Sequence, residues 1–92
     1  MYARLSIISM SPGTRPRVEK LADQLDPRFE RLQGFRGVTF LMDAASGDYG
    51  SFSLWESRED AEAASAAVNP RVEKIFQGML TPWIFEVYEP KG

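Results

Sequence analysis

The chain has no cysteine and no histidine among its 92 residues, and together these absences remove much of the chemistry common in small proteins. Without cysteine there is no disulfide to staple a small core and no thiolate nucleophile. Without histidine as well, zinc sites, haem held by an imidazole or a thiolate, and Ser-His-Asp triads are excluded. Any general acid or base is then a tuned carboxylate, tyrosine or lysine, or the substrate itself. Charge of one sign is also scarce: a net charge of −2 leaves no electrostatic footprint for a polyanion, so a nucleic-acid partner is not expected. Long apolar runs are missing too. None approaches the roughly 20 residues that span a bilayer, and residues 1–10 lack the basic-then-apolar pattern of a leader, so no membrane partner and a cytoplasmic location are expected.

What is present is the composition of a folded domain, with 43% hydrophobic, 12% aromatic and 26% charged residues. A chain this short encloses one core, so residues 1–92 are expected to form a single domain. Residues 2–10 alternate as a strand, with Ala3, Leu5 and Ile7 on one face and Arg4, Ser6 and Ile8 on the other. From Thr14 to Gln33 the apolar positions Val18, Leu21, Ala22, Leu25, Phe29 and Leu32 recur at helical spacing, with Gly34 as a left-handed stop. Pro27 falls inside that pattern and predicts a kink or a restart capped by Asp26. Residues 36–43 and 49–56 read as strands joined by the small and turn-forming residues 44–48.

Ser57-Arg58-Glu59-Asp60 is a variant of the capping box and opens an alanine-rich helix through Ala67. Asn69-Pro70 is expected to close it and start a second short helix, with Asn69 as cap and Val72, Ile75, Phe76 and Met79 as its apolar side. Residues 83–89 read as a last strand. Pro16-Arg17-Val18-Glu19-Lys20 recurs as Pro70-Arg71-Val72-Glu73-Lys74. The repeat does not extend into the strands, so it is read as two good first turns rather than a duplication.

The order β-α-β-β-α-β predicts an α+β, ferredoxin-like fold with one four-stranded antiparallel sheet and helices on one face. Leu5 and Ile7, with either Trp83-Phe85-Val87 or Ile84-Tyr88 from the last strand, would then be exposed on the other face. That is more apolar surface than a soluble monomer normally shows, and a homodimer packed through the sheet face is the expected remedy. Arg36-Gly37-Val38-Thr39-Phe40-Leu41 raises RNA binding, since RNA-recognition motifs share this topology and a basic-Gly-aromatic run. The places where aromatics would stack on bases hold Val38 and Asp43, which argues against it.

Ser53-Leu54-Trp55-Glu56-Ser57-Arg58-Glu59-Asp60-Ala61, with Gly34-Phe35-Arg36-Gly37 before the second strand and Pro12-Gly13 after the first, resembles the antibiotic biosynthesis monooxygenase (ABM-like) family over most of the chain. The resemblance implies a protomer that pairs through its sheet into a dimeric α/β barrel, with a pocket between sheet and helices. It also implies a cofactor-independent monooxygenase, needing no metal or flavin and acting on an aromatic or enolisable small molecule. Haem-degrading relatives use an asparagine on the first strand, a tryptophan ending the third and a histidine about ten residues later. Here those places hold Ser6, Trp55 and Ser65, so haem degradation by that route is not expected.

The candidate catalytic residues are Trp55, Ser6 and Arg4. Trp55 either offers its indole face and N–H to a ligand or plugs the sheet against the following helix. Arg4 either snorkels to the edge or pairs with an anion such as a phenolate or enolate. Phe40, Phe52, Phe76, Trp83 and Phe85 are the candidate pocket lining, each with core or dimer seam as its alternative. The competing function is a non-catalytic dimeric domain that binds a small molecule or serves a structural role.

Overall fold

A computed structural model describes residues 1–10, 13–43, 45–76 and 80–91. The elements run β1 (Tyr2–Ser9), α1 (Arg15–Glu30), β2 (Phe35–Asp43), β3 (Asp48–Trp55), α2 (Arg58–Phe76) and β4 (Thr81–Glu86). The four strands form one sheet in the order β2-β3-β1-β4, antiparallel at every junction. This is the expected ferredoxin-like arrangement, in which each half places a helix between two strands that lie apart in the sheet.

Both helices lie on one side because their apolar stripes match it. Leu21, Leu25 and Phe29 are buried along α1 at intervals of four. On α2 the buried positions Ala61, Ala64, Val68 and Val72 follow intervals of three and four. Ala61 and Ala64 are fully buried, and their small side chains let α2 lie close on the sheet. Around Phe29 the rings of Phe35, Phe40 and Trp55 sit with centroids 6.5, 6.2 and 6.1 Å away, at the tilted and edge-on angles that aromatic quadrupoles favour.

Two helical expectations are corrected. Pro27 neither ends nor restarts α1, and Asn69-Pro70 does not close α2: each helix runs through its proline. A proline removes the bond to the carbonyl four residues back. Those carbonyls belong to Asp23 and Ala66, both exposed residues, where solvent can take the place of the lost donor. Hence Asn69 is an interior helical residue rather than a cap, and the second Pro-Arg-Val-Glu-Lys run lies within α2 while the first opens α1. Met79, expected on the apolar side of that second helix, and Pro12 of the Pro-Gly turn lie outside the described residues.

The other end signals fall close to expectation. The Ser57 hydroxyl accepts from the Asp60 backbone N–H at 3.1 Å, which caps α2. Gly34 has φ of +76°, although α1 has already ended at Glu30. A side chain there would also collide with the Asp60 carboxylate, which packs over it.

The register sets the character of the two sheet faces. Toward the helices point Arg4, Ser6 and Ile8 of β1 and Tyr49, Ser51, Ser53 and Trp55 of β3, all buried. On the opposite face Leu5 stands between Phe52 of β3 and Trp83 of β4, and Ala3 between Leu54 and Phe85. Phe52, Trp83 and Phe85 are exposed there, together with Leu41 of β2. Of the two sets offered for the last strand, Trp83 and Phe85 therefore take the open face, while Ile84 packs against the core. Val87 and Tyr88 lie beyond the end of β4.

Candidate functional site

Between the sheet and the two helices lies a cavity of about 50 Å³. Its walls are apolar side chains from α1 and α2, including Val18, Leu21, Val72 and Phe76, and its floor is the helix-side face of β1 and β3. On that floor sit Arg4, Ser6, Tyr49 and Ser51. A space of this size takes a few water molecules. A ring system needs more, so its admission requires movement of the lining side chains.

Arg4 is the dominant group. It is fully buried and held by three neutral acceptors: Nε donates to the Ser65 hydroxyl at 2.6 Å, one terminal nitrogen to Ser51 Oγ at 3.4 Å, and the other to Asn69 Oδ1. Ser65 and Asn69 are four residues apart on α2, so one helix face presents both acceptors. The ring of Phe29 lies beneath the guanidinium, 5.9 Å from its carbon to the centroid. Burial pulls the guanidinium pKa down to about 10, which still leaves it charged at neutral pH. No carboxylate pairs with it among the described residues; the ion pairs there join Arg15 to Glu19 and Arg36 to Glu56 at the surface. A buried cation normally has a counter-ion, because neutral dipoles only partly replace its hydration.

Two further polar atoms on the same floor lack partners. Ser6 Oγ and Tyr49 Oη are buried and have no hydrogen bond among the described residues. Buried hydroxyls are usually satisfied, so a pair of orphans beside a solitary cation distinguishes this spot from ordinary core.

The expected site residues divide. Arg4 and Ser6 line the cavity, as do Phe40 and Phe76 of the five aromatics. Phe52, Trp83 and Phe85 are exposed on the open face of the sheet, since the strand period of two turns them away from the helices. Trp55 is fully buried in the core cluster and is not among the cavity lining. Its indole N–H donates to Ser53 Oγ at 2.9 Å, and its ring stacks edge-on to Phe35 at 5.6 Å. Ser65 stands where the resemblance puts a histidine in haem-degrading relatives. Here its hydroxyl is occupied by a guanidinium, an arrangement that offers iron no ligand.

Sequence reasoning missed Tyr49, Ser51 and Asn69. One signal pointed to the first two: the run Tyr49, Ser51, Ser53, Trp55 alternates on the same sheet face as Arg4 and Ser6, and is unusually polar for a strand face covered by helices.

No protein-family profile matches the chain, and no curated protein is similar to it in sequence. Solved structures are similar in fold. SnoaB, a cofactor-independent oxygenase from Streptomyces nogalater, is 14% identical with a TM-score of 0.74, covering 98% of this chain and 95% of its own. A monooxygenase from the gene ActVA-Orf6 of Streptomyces coelicolor, solved in complex with nanaomycin D, is 14% identical with a TM-score of 0.74 over 97% of this chain and 88% of its own. A Deinococcus radiodurans protein described as a "putative antibiotic biosynthesis monooxygenase" is 14% identical with a TM-score of 0.78, covering 100% of this chain and 97% of the other. The chain thus has the fold of the antibiotic biosynthesis monooxygenase structures, as its W-E-S and Gly-Phe-x-Gly motifs led us to expect.

Proposed function

We propose that the protein is a cofactor-independent monooxygenase acting on an aromatic or enolisable small molecule, and that it works as a homodimer joined through the open sheet face. The observation that carries this reading is Arg4: a buried positive charge whose partners among the described residues are all neutral, on the floor of a mostly apolar cavity. Such a cavity favours a flat ligand that carries or develops negative charge. A phenol or anthrone that loses a proton becomes an electron-rich enolate. Its carbon can pass electrons to oxygen directly, and the guanidinium stabilises the charge left behind. For a methylene centre the balance is CH2 + O2 giving C=O + H2O, so the substrate supplies all the electrons. The fold shared with a cofactor-independent oxygenase and with a monooxygenase solved in complex with nanaomycin D supports the reading.

The competing reading, binding without turnover, has its own observation: the Trp55 N–H is already bonded to Ser53. An oxygen electrode separates the two. With a panel of hydroxylated anthrones, the protein is expected to accelerate oxygen uptake above the spontaneous rate. Arg4→Lys keeps the charge but loses the fork, and is expected to reduce that rate about tenfold or more. If no panel member that binds is oxidised faster than in buffer, the protein is the binding domain and the oxygenase reading is dropped.

A further inference from the structure

We propose that Tyr49 and Ser6 are oxyanion-binding donors, and that the cavity takes its ligand as a preformed planar anion, with the charged oxygen on an sp2 carbon, in preference to the neutral molecule. This rests on the reading above and adds to it the ionisation state of the ligand and two residues that would recognise it.

The sheet register brings the groups together. Ser6 faces Ser51 across the β1–β3 ladder, Ile8 faces Tyr49, and Arg4 reaches across to the Ser51 hydroxyl. Ser6 and Tyr49 are therefore diagonal neighbours on one face, and such pairs lie within about 7–8 Å of each other along the backbone. Both side chains line the cavity, both hydroxyls are buried, and both lack a partner among the described residues. A hydroxyl can donate or accept, and its proton turns to suit the local field.

Here the field is set by Arg4, since no aspartate or glutamate is among the described residues that line the cavity. Arg4 has five N–H donors, of which three are bonded, to Ser65, Ser51 and Asn69, among the described residues. A positive potential with spare donors repels an amine, gives little to a neutral amide, and favours an oxygen that bears charge. A phenol taken up as its anion has already broken its O–H bond in solution, kept the electron pair on oxygen and given the proton to solvent. No side-chain base is required, which suits a chain without histidine.

The probes are 2-naphthoate, the neutral 2-naphthamide of the same shape, and a nitronaphthol whose visible band reports its ionisation. Wild type, Tyr49→Phe and Ser6→Ala are titrated with each, and their melting temperatures are measured without ligand. The expected result is that wild type binds at least one of the two anions about tenfold or more tightly than the amide. Naphthoate and nitronaphtholate separate a carboxylate from a phenolate, and either bound alone supports the proposal. Bound nitronaphthol is expected to ionise at a lower pH than free nitronaphthol. Each variant should lose about tenfold in affinity for the bound anion and none for the amide, the loss expected for one charge-assisted hydrogen bond.

Ligand-free melting temperatures should be unchanged or raised, because each substitution removes a hydroxyl that bonds to none of the described residues. The proposal is overturned if neither anion binds, if amide and anion bind alike, or if the variants bind the anions as wild type does. It is also overturned if the variants lose stability in step with affinity, which marks a structural role. Naphthoate is not a substrate for oxygenation. Anion-selective binding without oxygen uptake therefore keeps this proposal and removes the oxygenase reading, while oxygen uptake with no preference for anions does the reverse.

Discussion

Three neutral acceptors hold Arg4, and a second group of polar residues beside it ties the same strand to the aromatic core. Ser53 Oγ accepts from the Trp55 indole and donates to the Arg4 carbonyl at 3.4 Å, so one hydroxyl links the backbone of β1 to the largest buried side chain. Removing it strands an indole N–H in a fully buried place. Ser53→Ala is expected to cost about 1–3 kcal/mol. Urea unfolding should show it as a lower midpoint with an unchanged slope, and a midpoint equal to wild type would mean that the indole finds another acceptor. The period of two in β1 made the facing of Arg4 and Ser6 legible from sequence. It did not reveal that the hydroxyls of Ser6 and Tyr49 would lack partners among the described residues while Ser53 found two, because alternation specifies a face and says nothing of what stands across from it.

Among the elements, the β2–β3 hairpin carries a titratable lock at its turn. The Asp43 carboxylate accepts from the backbone N–H groups of Ser46 and Ala45, at 3.3 and 3.1 Å, and Gly47 N–H bonds to the Asp43 carbonyl at 2.9 Å. The backbone bond from Ser46, then the Ser46 side chain and the Ala45 backbone, hold the Asp43 pKa below its usual value. The folded hairpin thus binds protons less readily than the unfolded chain. Its stabilisation by Asp43 is complete above the ordinary carboxylate range and disappears as pH falls through the lowered folded value. Amide exchange at Ser46 is expected to accelerate across that interval in wild type and to show no such step in Asp43→Asn; a step of equal size in both would discount the lock. The strands flanking this turn were readable from their alternation, within a residue at most ends. The prolines were misread because the cost of an interior proline depends on whether the carbonyl it frees reaches water, and that is a property of the packed helix rather than of the residue.

At the level of the whole molecule, helices cover one face of the sheet and leave the other open. Leu5, Ile7, Leu54 and the exposed Leu41, Phe52, Trp83 and Phe85 make a continuous apolar surface across all four strands. The proposed sheet-on-sheet packing of two copies would remove it from water, at roughly 25 cal/mol for each Å² buried. Light scattering at micromolar concentration is expected to find wild type as a dimer and Trp83→Glu as a monomer, since the substitution places a charge on the apolar face through which the copies are proposed to pair. A monomeric wild type would dismiss the dimer. Topology was the most legible feature of this chain because it follows from the order of periodic segments. The site was legible in part, through Arg4, Ser6, Phe40 and Phe76, and the rest depended on contacts between residues distant in sequence.

The solitary Arg4 charge also bears on how long the protein survives. With no carboxylate paired to it among the described residues, Arg4 leaves the fold at its least stable when the cavity is empty, so an anion that neutralised it would act as a folding partner whether or not it was transformed. At a hundred times its dissociation constant such a ligand adds about 2.7 kcal/mol to stability. Unfolded chains are the ones that proteases remove, so the amount of this protein in a cell would rise and fall with the supply of its ligand.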